Sequence, residues 1–391
     1  MKYAGLHNHS DYSNIKLLDS TISIESLLDT AYEKGLSAVA LTDHDVLSGH
    51  VKAIQYYQEE YQDKDFKLIL GNEIYMTREG LNSDNYKKGE HFYHTLLLAK
   101  NAEGHKQLRQ LSSRSWERSF MKYNMMRTPT YPSDLQEIVG ENQGNIIATT
   151  ACLGSFTGIM YNTYKEKALD KITQYLESMS EVFGKDNFYI EVQPSNQKDQ
   201  KDYNKFMIKH FWNDYNFVFS TDSHYANQDD FEVHSAFLKS KQSDRETEAF
   251  YSSTFIMPFE QIKEFFVYID DDKIEEMRQN TLRIADEIEN YDISHPQIVP
   301  TVPVDDNLDA EKLAEFLERL DAINKEYPYI QKYLKDKEKN NRAFIKKIID
   351  GFNEIKIMKQ QTEKYYDRLE YELEQLWETS VRIEQPVSKY F

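Results

Sequence analysis

Seven short apolar runs punctuate the first 225 residues: YAGL (3–6), SAVALT (37–42), FKLILG (66–71), HTLLLA (94–99), NIIATT (145–150), FYIEVQ (188–193) and FVFST (217–221). Each has the length and composition of a buried strand. Helical patterns separate them. In IESLLDTAYEKGL, the apolar Ile24, Leu27, Leu28 and Ala31 recur at i, i+3, i+4 and i+7, and Gly35 supplies a stop. Further helices are expected over 47–62, after Asn101, near 166–183 and over 200–214. This alternation predicts an α/β fold built as a barrel of seven strand–helix units. One irregularity is expected. His94 opens its run, so in a purely parallel barrel it would stand at the end opposite the other clusters of ionisable residues. If EIYM and HTLLL instead pair antiparallel, Glu73 and His94 come close together.

Beyond residue 240 the character changes. DDDKIEEMRQNTLRIADEIENY predicts an amphipathic acidic helix, and HPQIVPTVPVDDN, with its prolines, an extended linker. From 308 to about 382 the chain is helical and highly charged. The expected organisation is a barrel domain over 1–240, a connector and linker over 241–305, and a charged helical region over 306–391.

With 391 residues the chain can bury a large core. No apolar stretch is long enough to predict a membrane span, and MKYAGLHNHS lacks the parts of a signal peptide. A single cysteine excludes an internal disulfide framework and fits a reducing, cytoplasmic setting. The net charge of −19 argues against a nonspecific nucleic-acid coat. It leaves room for a nuclease, since bound cations reverse the field of a carboxylate-rich pocket.

Most of the candidate chemistry adjoins the predicted strands. His7 and His9 follow the first run, and side chains two apart share a face. TDHD (42–45) follows the second, bringing Asp43 and His44. TDSHY (221–225) follows the last, bringing Asp222 and His224. Glu73 and His94 interrupt apolar runs, where a polar group needs a partner: a salt bridge, a core hydrogen bond or a metal. Asp19 by itself suits a helix-entry cap, and Cys152 by itself a small apolar residue. His50 and His91 lie near these clusters in sequence and are candidates for substrate or metal contact. His105, His210, His234 and His295 are expected to be solvated.

HNHSDYS with LLDS, ALTDHDVLSG, GNEIY, YHTLLLAKN, TACLG, FYIEVQ and STDSHY resemble, in order, the motifs of the polymerase-and-histidinol-phosphatase (PHP) domain, in the version that begins the alpha subunit of bacterial DNA polymerase III. LLLAKNAEGHKQLRQLSS carries the likeness to the polymerase version, and SGHV (48–51) is reminiscent of phage-encoded relatives. MRQNTLRIADEIENYDI with IVPTVPV resembles the connector to a polymerase core, and YYDRLEYELEQL the helix entering the palm. The resemblance implies a distorted (β/α)7 barrel followed by a mainly helical region. It implies metal ligands at His7, His9, Asp19, His44, Glu73, His94, Cys152, Asp222 and His224, with Asp19 aligned only if NIK (14–16) is an insertion.

Two or three divalent ions are expected, zinc or manganese in so histidine-rich a set, with iron or magnesium as further options. The implied activity is 3′–5′ exonucleolytic hydrolysis of DNA ends. Asp43 or Asp222 would orient the attacking group or a histidine, and His50 or His91 would serve the leaving group. DDD (270–272) and DD (305–306) do not resemble the catalytic aspartates of the palm, so polymerisation by this chain alone is not expected, and a separate polymerase core is the expected partner. The alternatives are a metal-stabilised scaffold docking onto that core, or a phosphomonoesterase of the histidinol-phosphatase type.

Overall fold

All seven apolar runs form strands. The computed structural model describes residues 1–123, 125–240, 250–293, 305–354 and 362–382. Its strands are β1 (Ala4–Gly5), β2 (Ala38–Leu41), β3 (Lys67–Met76), β4 (Tyr93–Ala99), β5 (Phe120–Lys122), β6 (Met125–Arg127), β7 (Ile146–Thr149), β8 (Phe188–Val192) and β9 (Asn216–Phe219). Seven of them make one sheet in the order β1-β2-β3-β4-β7-β8-β9, and β5 and β6 form a separate hairpin. The sequence pattern does not anticipate that hairpin.

β4 runs antiparallel to both its neighbours, and every other pairing in the large sheet is parallel. The expected irregularity is therefore present, with Tyr75 opposite His94 and Glu73 opposite Leu96. The segment joining β3 to β4 contains no crossover helix, so the second strand returns beside the first. The sheet curls until its first and last strands meet just past their ends. There Asn8 bridges Ser223, the His9 amide donates to the Ser223 carbonyl at 2.9 Å, and the Ser223 amide donates to the His7 carbonyl at 3.2 Å.

Alternation along the strands sorts two apolar layers. Val39, Leu41, Leu97 and Ala99 point outward under the helices, with Leu27 and Leu28 of the helix Ile24–Glu33. Ala38, Ala40, Leu96 and Leu98 point inward, where Ile284, Ala285 and Ile288 join them. The helix Asp271–Glu287 thus packs on the strand N-termini. Thr281 Oγ1 accepts the Ala4 amide at 3.1 Å, and Asn280 Nδ2 donates to the Phe217 carbonyl at 2.8 Å.

This packing extends the first compact unit over Met1–Ile293, with Ser294–Phe391 as the second. The expected boundary at 240 falls short because the acidic helix buries its apolar stripe in the barrel rather than linking two bodies. Most of the expected linker lies outside the described residues. In the second unit, the helices Ala310–Asp321, Pro328–Lys335, Lys339–Glu354 and Thr362–Arg382 enclose their own core around Phe316, Ile330, Ile345, Tyr366 and Leu373. The Glu370 carboxylate accepts the Tyr329 and Ile330 amides, satisfying groups that a helix start leaves bare. None of the described helices is long and apolar enough to cross a membrane.

Candidate metal centre

The strand ends that meet at Asn8 and Ser223 carry the ionisable clusters. His7 and His9 follow β1 on one side of the chain. Asn8 turns the other way, and its amide donates to the Gly5 and Ala40 carbonyls at 3.1 and 3.0 Å. Beyond β2, β7 and β9 the backbone turns through Asp45, Ala151 and Asp222, each in the left-handed region at φ 51°, 55° and 48°. Such conformations cost of order 1 kcal/mol or more in non-glycine residues and tend to gather at functional sites.

Glu73 stands at the middle of the cluster, fully buried. Its Oε1 lies 2.8 Å from His94 Nδ1 and 3.5 Å from His7 Nε2. Its Oε2 lies 2.6 Å from His44 Nδ1 and 3.9 Å from His9 Nε2. One carboxylate therefore faces two separate pairs of imidazoles. Asp222 Oδ1 is 3.0 Å from His9 Nε2 and 3.3 Å from His7 Nε2. Asp19 Oδ2 is 3.3 Å from His44 Nε2 and 3.4 Å from His224 Nε2, while Tyr251 donates to its other oxygen. Cys152 Sγ lies 3.3 Å from His94 Nδ1. Beside it, a side chain on Gly154 would come within 3.0 Å of the His94 ring.

All nine candidate ligands are thus brought together. Three groups, His9/His44/His224, His7/His9/Asp222 and Glu73/His94/Cys152, each have donor atoms within 4.8 Å of one another. Ligand bonds of about 2.0–2.3 Å leave the donors on one ion about 3–4 Å apart, so the spacing suits shared cations. His7 Nε2 is buried and, among the described residues, faces the Asp222 and Glu73 oxygens at 3.3 and 3.5 Å without a well-formed hydrogen bond to either, as suits a nitrogen turned toward an ion. Imidazole, carboxylate and thiol together fit a divalent transition metal.

The electrostatics agree. Burial alone would raise the carboxyl pKa values of Asp19, Glu73 and Asp222, yet the facing histidines hold all three below the usual carboxylate range. Burial disfavours charge on His44 too, but hydrogen bonds to Asp19 and Glu73 outweigh it and push the ring up to about 10. For His9, burial prevails, and the neighbouring His44 and His224 reinforce it, lowering the ring to about 3. Burial pushes the Cys152 thiol up, and Asp222 and Glu73 add to that. Cations displace protons from such a set.

The remaining candidates have other surroundings. Asp43 Oδ1 accepts from the Ser10 amide at 2.6 Å and from Ser13 Oγ at 2.7 Å; its Oδ2 accepts from Ser10 Oγ at 2.8 Å. Ser13 Oγ in turn lies 3.4 Å from His9 Nδ1, so Asp43 braces the cluster from behind. His50 is not brought to the cluster. Its ring is buried between His105 Nε2 and the Gly71 carbonyl, both at 3.0 Å, because it begins the helix His50–Glu60 on the outer side of β3. His91 is exposed and stacks on Tyr93, centroids 5.6 Å apart.

The expectation of solvated histidines is corrected at two positions. His105 is buried against His50, and His234 is buried with Nε2 2.7 Å from the Asp19 carbonyl. His210 pairs with Glu166 at 3.0 Å, and His295 lies outside the described residues.

Sequence reasoning missed two supporting groups. Glu191, fully buried in β8, accepts from His7 Nδ1 at 2.9 Å and from Thr149, Ser220 and Gln193. A carboxylate inside the run FYIEV was the available signal. Lys16 pairs with Asp45, and its Nζ sits 3.3 Å from the Tyr75 ring centroid.

Residues 5–195 match the family model described as the PHP domain. The chain is 38% identical, over 99% of its length, to "Probable DNA polymerase YorL" of Bacillus subtilis (strain 168) and to the DNA-directed DNA polymerase of Bacillus phage SPbeta. It is 32% identical over 90% of its length to the DNA polymerase III subunit alpha of Borreliella burgdorferi. The chain covers 31% of each of the first two and 29% of the third, so it spans about a third of the length of these relatives.

Proposed function

This chain carries a PHP domain homologous to the N-terminal part of DNA polymerase III alpha subunits, and on that premise we propose that it is a metal-dependent phosphodiesterase that trims DNA 3′ ends in the 3′–5′ direction. The observation that carries the reading is Glu73, whose two oxygens face His7 and His94 on one side and His9 and His44 on the other. A carboxylate so placed would serve, with these histidines, as a ligand to divalent ions. The relatives' DNA polymerase activity supports DNA as the substrate class.

His7, His9, Asp19, His44, Glu73, His94, Cys152, Asp222 and His224 would hold two or three divalent ions, zinc or manganese before iron or magnesium. When bound, such ions polarise phosphoryl oxygens and activate water for in-line attack.

The chain's own residues prepare that chemistry. Glu191 accepts the Nδ1 proton of His7 and so turns the Nε2 lone pair inward. The Asp222 carbonyl, 2.7 Å from Nδ1, does the same for His224. Asp43, through Ser13, holds the outer face of His9. His50 is excluded as donor to the leaving group, since both ring nitrogens are engaged away from the cluster.

The test uses purified chain, manganese or zinc, and a DNA duplex with a mismatched 3′ end. The end should shorten, and His9→Ala or Asp222→Asn should abolish shortening while circular dichroism stays unchanged. Equal activity in both variants would reject the assignment. Metal-loaded but inert protein that co-purifies with a polymerase core would favour the scaffold reading. Turnover of histidinol phosphate with DNA untouched would favour the phosphomonoesterase.

A further inference from the structure

The chain has 66 acidic and 47 basic residues, but one region reverses that balance. The segments 78–92 and 118–127 together hold six lysines and arginines against three carboxylates. Arg78 pairs with Glu90 and Arg118 with Asp134. The other four cations, Lys87, Lys88, Lys122 and Arg127, form no ion pair among the described residues. Unpaired cations beside one another in so acidic a protein point to an anionic partner.

Aromatic rings are interleaved with them. Tyr86 packs against Phe92, Phe120 and Tyr123, with centroids 6.4, 5.9 and 6.0 Å apart. The Arg127 guanidinium lies 5.6 Å from the Tyr86 ring and 5.2 Å from the Phe92 ring. Above this layer the β5–β6 hairpin exposes Met121, Tyr123 and Met125, at 60%, 65% and 37% of their surfaces. Large side chains grouped in solvent in this way mark a contact surface.

The patch adjoins the candidate metal centre. The segment 77–92 connects the strand of Glu73 to the strand of His94. Immediately after the hairpin, Thr128 donates to Asp45, whose amide donates to the Glu73 carbonyl at 2.9 Å. Thr130 exchanges backbone hydrogen bonds with Tyr75 and Thr77.

We propose that the 77–92 segment and the β5–β6 hairpin form a stacking platform for single-stranded DNA, holding the bases upstream of the 3′-terminal linkage. Rings that stack on bases, with the exposed Lys87 and Lys88 beside them to meet phosphates, are what sequence-tolerant single-strand binding requires. The inference rests on the proposed function for the direction of the strand, but strand binding can be measured separately.

The experiment is fluorescence anisotropy of the whole chain, as purified, with a fluorescein-labelled oligothymidylate of about 12 nucleotides. Phosphorothioate linkages at its 3′ end keep it from being consumed. Tyr123→Ala should weaken binding about tenfold. Lys87→Gln with Lys88→Gln should lower the slope of log Kd against log salt by about 1.4. Both changes are at exposed positions, and unfolding curves should match the parent.

Patch variants that bind like the parent overturn the platform. So does absence of measurable binding at low salt, which would reassign the surface to a protein partner. Binding that depends on the patch in a chain that cuts no DNA leaves the platform standing and removes the hydrolase. Cutting with unchanged KM in the patch variants does the reverse.

Discussion

His7 Nδ1 and Glu191 Oε1 meet at 2.9 Å with both side chains fully buried, and the opposite nitrogen of His7 faces Glu73 and Asp222. The carboxylate thereby decides which nitrogen carries the proton. Glu191→Gln can offer an N–H to Nδ1 and reverse that choice. We expect metal affinity to fall about 10–100-fold, the usual cost of losing such a partner. Competition against a chromophoric chelator measures it, and an unchanged Kd would remove Glu191 from the metal centre.

Gly154 is the second point of sensitivity. A methyl group there would meet the His94 ring at 3.0–3.1 Å, tighter than ordinary packing. Gly154→Ala should push His94 away from Glu73 and Cys152 at a cost of about 1–3 kcal/mol. Metal content per chain, determined by elemental analysis, should drop. Full occupancy in the variant would show that His94 can shift without consequence.

Chelation should destabilise the protein in a way that added metal reverses. An ion at a hundredfold excess over its Kd contributes about 2.7 kcal/mol to a folded state that alone binds it. Thermal unfolding with zinc or manganese, then with EDTA, should show the melting temperature rise and fall. In a His9→Ala/Glu73→Gln double variant, which removes a donor from each of the three ligand groups, the two curves should coincide. A metal shift that survives in the double variant would mean that the ions bind elsewhere.

The His50–His105 pair should make stability pH-dependent. Burial, aided by the neighbouring His105, lowers His50 to about 3, and burial, aided by Arg109, lowers His105 to about 4. Unfolded, both would titrate near 6.5, so below that pH the unfolded chain binds more protons than the folded one. Stability held above pH 6.5 is therefore lost as pH falls toward 4 to 3. Urea midpoints at pH 7.5 and 5.5 should separate more for the parent than for His50→Gln. Equal separations would indicate that the pair is already protonated in the folded state.

Much of the site was legible in one dimension because its parts obey local rules. A strand ending in His-x-His turns both rings to one side, and an Asp–His cluster closing a buried strand suggests a site more than a surface turn; these signals pointed to His7, His9, His44 and His224, which the fold brings together. The antiparallel return of β4 followed from His94 standing at the start of its run. The amphipathic stripe of Asp271–Glu287 was equally plain, but a stripe does not name what it packs against. Only the folded chain assigns it to the barrel floor.

The same limit separates His44 from His50. Both follow the second strand, but one sits at its end facing the interior. The other starts a helix whose direction carries it to the outer layer, against His105. Glu191 was hidden for the complementary reason, being a carboxylate whose partners lie far away in sequence at Thr149, Ser220 and His7. Side-chain period and strand order are short-range properties that pattern can carry. Curling the sheet until β1 meets β9 is a collective property, and it alone puts His7, Glu73, Cys152 and His224 around one space.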